Sequence, residues 1–165
     1  MIMSESRLQS ELKKRRPFET VEEEVVLNIL RAADQLGIQF DRLFRQFGLT
    51  SSQYNVLRIL RGEGAPLPIT EIGARTVAVV PGITGIIDRL EQAGHARRVR
   101  SLEDRRVIHV EITPEAISLL EKIDGPLKAL HQSLLRGLED AEKRTINRLM
   151  ERLREGMGQA HPSNG

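Results

Sequence analysis

The sequence predicts a mostly α-helical chain carrying one small β-hairpin, and three observations support that class. Apolar residues recur at three-and-four spacing through most of the chain, as they do in helices that bury one face. Strand-like alternation stands out at Ile108, Val110 and Ile112, with His109 and Glu111 between them. Around that strand, Pro81 to Thr113 runs in the order helix, glycine stop, basic hairpin. This is the order of a winged helix-turn-helix, which puts one helix in a DNA groove and a hairpin tip beside it. The expected fold is therefore mostly α with a small β-hairpin wing: a winged helix-turn-helix between N- and C-terminal dimerisation helices.

Composition narrows the function classes. At 165 residues, with 39% hydrophobic and 29% charged, the chain suits one soluble domain. Aromatics are 3% with no Trp, so the core is expected to be aliphatic. No apolar run approaches a membrane span, and the N-terminus lacks the apolar stretch of a signal peptide. The absence of Cys removes disulfides and thiolate metal sites, and the cytoplasm is the expected compartment. The net charge of +2 is unevenly placed. Between His95 and Arg106 five Arg face only Glu103 and Asp104, and between Arg7 and Arg16 five Arg or Lys face only Glu11. A local basic patch on an otherwise acidic body is the footprint of a nucleic-acid binder. The plainer reading, a solvated surface, fits the N-terminal run as well as it fits any basic tail.

Taken in order, residues 1–17 read as a basic arm, either mobile or a weak first helix, closed by Pro17. Residues 18–48 form a first helix of the dimerisation region. Thr20 and Glu23 make a capping box, and the stripe runs Val26, Ile29, Leu30, Ala33, Leu36, Phe40, Leu43, Phe44, Phe47 towards Gly48. Residues 49–113 make the DNA-binding module. Thr50 and Gln53 form a second capping box with Leu49 and Tyr54 as its hydrophobic staple, opening a helix that stops near Gly62–Gly64. Pro66 and Pro68 hold a connector around Leu67 that can pair with the later hairpin. A short helix starts near Ile69 with Ile72 inward. Val79-Val80-Pro81 reads as the start of the next helix, because Pro suits a first turn. Ile83, Ile86, Ile87 and Leu90 form its buried face, and Gly94 its left-handed stop.

Thr113 caps the helix that follows, with Pro114 at its first position. Ala116, Ile117, Leu120 and Ile123 form its stripe. Asp124-Gly125-Pro126 interrupts that stripe as a kink before Leu127, Leu130, Leu134 and Leu138 resume it. Glu139-Asp140 caps a last helix with Ile146, Leu149, Met150 and Leu153 inward. Residues 114–157 complete the C-terminal dimerisation helices, and the tail is expected to fray from Gly156, with 158–165 disordered. The flanking stripes outrun what the central module can cover, which points to a two-fold homodimer. The competing reading is an intramolecular helical bundle.

With these residues in view, the runs LTSSQYNVLRIL, ITEIGART, ITGIIDRLEQAG and ARRVRSLEDRRVIHVEIT, followed by Pro114-Glu115-Ala116, resemble the MarR family of bacterial transcription regulators. The likeness covers about residues 20–157, and its most specific part is Asp104-Arg105-Arg106 just before the strand. The resemblance implies a dimeric winged helix-turn-helix that binds pseudo-palindromic operator DNA, usually as a repressor, often released by a phenolic or other small amphipathic ligand. It keeps the family's Thr84. It departs where Val79, Pro81 and Gly82 stand for polar residues, Gly85 for a basic one, and Pro68 for the usual Thr or Ser.

These residues make a short list of expected contacts. On the recognition helix, Val79 and Pro81 can touch thymine methyls, Gly82 and Gly85 let the backbone approach, and Thr84 can reach a base edge or phosphate. On the wing, Arg106 steered by Asp104 is the candidate for a narrow minor groove. Arg97, Arg98, Arg100 and Arg105 are expected on phosphates, with Thr70 and Arg75 as further phosphate contacts. The plainer reading of Asp104–Arg106 is an ion pair that stabilises the hairpin. Phe40, Phe44 and Tyr54 are candidate effector-pocket residues, against the reading that they are core. Two other classes compete. A winged-helix protein-interaction module would suit the apolar Val79-Val80-Pro81, and it would lack the steep loss of random-duplex binding with salt that counterion release gives a DNA binder. An enzyme is disfavoured, since His95, His109, His131 and His161 show no ligand or catalytic spacing. No cofactor or metal is expected.

Overall fold

The computed structural model describes residues 6–77, 82–100 and 107–159. They fold into two compact units, Met1–Leu120 and Glu121–Gly165. The first opens with α1 (Arg7–Glu11), followed by the long α2 (Val21–Arg45). Leu8 is only 5% exposed, Arg31 of α2 donates to Glu11 at 3.0 Å, and Lys14 pairs with Glu23 at 3.4 Å. The weak-helix alternative for the arm is thus what its described part adopts, tied down by one apolar anchor and two ion pairs. The Arg31 bond, and then that from Arg7, hold the Glu11 carboxyl below the usual glutamate range.

The first capping box closes by a different route from the expected one. Thr20 Oγ1 accepts from the Glu23 N–H at 3.1 Å, but the Glu23 carboxylate accepts from the Glu19 N–H, one residue earlier, at 2.8 Å. That bond lowers the Glu23 pKa. At its other end α2 stops before Gly48, whose positive φ of 72° lets the Leu49 N–H return to the Phe44 carbonyl.

α3 (Ser51–Glu63) begins with a complete capping box. Thr50 accepts from the Gln53 N–H, and the Gln53 side chain accepts from the Thr50 N–H at 2.9 Å. Leu49 and Tyr54 are both buried, as a staple requires. The helix turns Val56, Leu57 and Leu60 into the centre of the unit, where Ile72 of α4 (Ile69–Ala74) and Ile87 and Leu90 of α5 (Ile83–Gln92) meet them, all essentially without exposure.

A three-stranded antiparallel sheet of order β1-β3-β2 edges this core. The connector residues Leu67–Pro68 form β1, with Leu67 opposite Val110, confirming the expected pairing. Pro68 lies in an edge strand, where its missing N–H removes no ladder bond that a central strand would need. β2 (Ala96–Arg100) and β3 (Ile108–Ile112) pair from Ala96–Ile112 to Arg100–Ile108.

α6 (Pro114–Leu134) starts on the expected cap, with Thr113 Oγ1 accepting from the Ala116 N–H at 3.3 Å. It buries Ala116 and Leu120 completely, so its first turns belong to the first unit. Asp124–Pro126, where the stripe was expected to kink, lies within one helix. Pro126 lies inside a continuous helix and costs one backbone bond rather than ending it. The second unit holds the rest of α6 and α7 (Asp140–Gln159). α7 runs past Gly156, where fraying was expected, to Gln159.

Candidate nucleic-acid interface

α5 is held from one side and open on the other. Ile86, Ile87 and Leu90 are buried, while Gly82 and Thr84 are exposed and Ile83 and Gly85 half-exposed. The helix starts two residues later than the Pro81 signal suggested. Gly82 is its N-cap, in the left-handed region at φ 72°, where a β-carbon is strained. No side chain caps that end. Its first N–H groups therefore point outward with the positive end of the helix dipole, the arrangement that favours an anion. A β-carbon at Gly85 would meet nothing within 4 Å. The chain's own packing gives no reason for glycine inside this helix, where it is less stable than alanine.

The stop at the other end is fully built. The Gly94 N–H donates to Glu91 and the His95 N–H to Leu90, at 3.0 and 2.8 Å, with Gly94 at φ 74°. This Schellman turn aims the chain directly into β2. The His95 carbonyl then accepts from Thr113, and the Thr113 hydroxyl donates to Gly94, so the turn is also tied to the start of α6. His95 Nδ1 is the buried side-chain polar atom left without a partner among the described residues.

The structure separates the basic residues that the sequence grouped together. Arg97 and Glu111 face each other in register across β2 and β3 and form an exposed ion pair. Arg98 turns to α5, where its guanidinium bonds Asp88 at 2.6 Å and also Glu91. The Asp88 carboxylate, then Glu91, hold that guanidinium above the ordinary arginine value. Arg75 is bonded to Glu63 at 2.6 Å and Glu71 at 3.5 Å, with Glu63 the main cause of its raised pKa. Arg75, Arg97 and Arg98, each expected on a phosphate, thus each have a carboxylate partner in the single chain. Arg100 remains exposed with no acidic partner among the described residues. Thr70 is exposed in the first turn of α4.

Arg89 was missed in the sequence. It lies one turn beyond Gly85 on α5, exposed, with no acidic partner among the described residues. Its position four residues after Gly85 was the available signal. Val79, Pro81, Asp104, Arg105 and Arg106 lie outside the described residues.

Of the aromatic group, Phe44 and Tyr54 are core and Phe40 is half-buried. Phe44 and Tyr54 are buried and stacked with ring centroids 4.1 Å apart, and Phe40 lies 6.3 Å from Phe44. The geometry joins the three as a stack between α2 and α3. Among the described residues no three His, Asp or Glu gather as a metal-binding group.

Comparisons with known proteins agree with this geometry. The profile of the MarR family matches residues 49–108. The HTH-type transcriptional repressor IacR of Pseudomonas putida is 31% identical over 67% of this chain and 66% of its own. Among solved structures, a MarR transcription factor from Planctomyces limnophilus is 33% identical, with a TM-score of 0.63 over 82% of this chain and 98% of that one. BpsR of Bordetella bronchiseptica, whose DNA binding is regulated by 6-hydroxynicotinic acid, is 25% identical, with a TM-score of 0.71 over 84% and 97%.

Proposed function

The chain belongs to the MarR family of DNA-binding transcription regulators, and from that premise we propose that it acts as a homodimeric repressor of a two-fold-symmetric operator, released by a small aromatic or amphipathic ligand. The observation that carries this reading is the outward face of α5. Among the described residues it has an N-terminus at Gly82 that no side chain caps, an exposed Thr84, a Gly85 that no packing requires, and an Arg89 with no acidic partner. In the major groove such a face offers backbone N–H groups and one hydroxyl, with Arg89 reaching a phosphate. Arg100 on β2 adds a second phosphate contact, and Thr70 a third from α4. The hydrogen-bonding code of the helix is thin, so base selection falls to the wing, where Arg106 set by Asp104 enters the minor groove. Val79 and Pro81 complete the apolar contacts to thymine methyls.

Two copies are needed because one recognition helix reads only a half-site. α2 and α7 each leave an apolar face in water, with Leu30 59% and Leu149 44% exposed in the single chain. Faces of that kind are covered by a second copy in a two-fold dimer. The repressor sign and the ligand class follow the relatives named above. No helix among the described residues is long and apolar enough to cross a membrane, which fits action in the cytoplasm.

Selection of bound duplexes from a random pool tests the whole reading. The expected product is an inverted repeat whose half-sites are centred one helical turn apart, about 34–36 Å. A pool that returns no enriched sequence, or binding that does not weaken with salt, overturns it and leaves a docking module.

A further inference from the structure

Arg98 stands where a phosphate contact was expected and is turned the other way. The pleat of β2 puts Ala96 and Arg98 on one face, and Ala96 is buried. Arg98 lies opposite Val110, which is fully buried, and its own side chain is 24% exposed. It leans onto α5, where Asp88 and Glu91, three residues apart, share one side of the helix. The guanidinium donates to Asp88 Oδ1 at 2.6 Å and to Glu91 Oε2, and the Arg98 backbone N–H donates to Glu91 Oε1 at 3.0 Å. One residue thus ties the first wing strand to the recognition helix through both main chain and side chain.

We propose that Arg98 is a positioning residue for DNA recognition: its clamp on Asp88 and Glu91 sets the angle between recognition helix and wing, so that both engage one operator half-site together. The proposal rests on the DNA-binding reading of this module. A helix and a hairpin that must meet two adjacent grooves at once bind better when their mutual angle is set before binding, because the ordering cost is already met. The planar guanidinium fork suits two carboxylates at once, whereas an ammonium is a point charge without that geometry. The clamp also leaves Asp88 and Glu91 with a local countercharge beside a helix that approaches phosphates.

The test uses the full chain, its selected operator and a random duplex, with affinities measured across a salt series. Arg98→Lys keeps the charge and loses the fork. It is expected to weaken operator binding about tenfold, within the range for losing one good groove contact. Random-duplex affinity and the salt slope should stay as in the wild type. Glu91→Gln removes a negative charge near DNA, so charge alone predicts tighter operator binding, whereas the clamp predicts weaker binding. Near-wild-type thermal unfolding of Arg98→Lys and Glu91→Gln places these losses on geometry. The proposal is overturned if Arg98→Lys binds the operator as well as the wild type does, or if Glu91→Gln binds it more tightly. It is equally overturned if Arg98→Gln lowers the salt slope by about 0.9 and weakens both duplexes alike, as a lost phosphate contact would. A wild-type chain that binds no duplex at low salt sinks the DNA reading itself, an outcome separate from these.

Discussion

Thr50 closes both halves of a capping box at the start of α3, the helix that supplies more buried side chains to the first unit than any other element. Thr50→Ala leaves the first N–H groups of that helix without their side-chain acceptor. The bond lost is the one from the Gln53 N–H, and its loss should cost about 1 kcal/mol of unfolding free energy, seen as a lower urea midpoint at unchanged slope. Phe44, stacked on Tyr54, is a heavier case: Phe44→Ala should cost about 3–5 kcal/mol in the same measurement. Glu11 and Glu23 make the docking of α1 sensitive to acid. Both have lowered pKa values in the fold, so their contribution is complete above the ordinary glutamate range and is lost as pH falls through the lowered values. Loss under acid of the amide protection of Leu12, whose N–H donates to the Leu8 carbonyl, with α3 still protected, is the expected sign, whereas equal loss in both would refute a separate release of α1. Charge was legible at this scale, but partners were not. Arg97, Arg98 and Arg100 look equivalent in one basic run, yet alternation along β2 sends Arg98 to the α5 side and Arg97 to Glu111.

Among the elements, α5 carries the sharpest conflict between stability and function. Gly85→Ala adds a β-carbon that touches nothing in this chain. It should raise stability by roughly 0.5–1 kcal/mol through helix propensity. The same methyl group would stand where the backbone approaches DNA, so operator affinity should fall while the unfolding midpoint rises. A variant that gains both would remove close backbone approach from the mechanism. Element limits set by local chemistry were readable in the sequence. Thr50 with Gln53, Gly94, and Thr113 with Pro114 each define an end whose hydrogen bonds lie within a few residues. Where local signals compete, they misled. Pro81 looked like a first turn, but Gly82 provides the left-handed cap after it. Asp124-Gly125-Pro126 read as a kink in the stripe, and the helix runs through it without the one backbone bond that Pro126 removes.

For the whole molecule the open question is what covers the apolar faces of α2 and α7. Leu30→Glu and Leu149→Glu each put a charge on a face that a second copy is proposed to bury, in positions already exposed in the single chain. Each should shift the light-scattering mass towards one chain and abolish operator binding while α3 and its core stay folded. A dimer that persists in both variants would place the interface elsewhere.

The sequence by itself determined the class of this protein, the order of its elements and the position of the helix and the hairpin strands proposed to meet DNA. Those depend on periodicity, caps and turn residues, which act over a few positions along the chain. Only the tertiary structure decided which arginines are spoken for. An ion pair such as Arg98 with Asp88 joins a strand and a helix ten positions apart in the chain, and which carboxylate an arginine meets depends on how the two elements are folded together over one core.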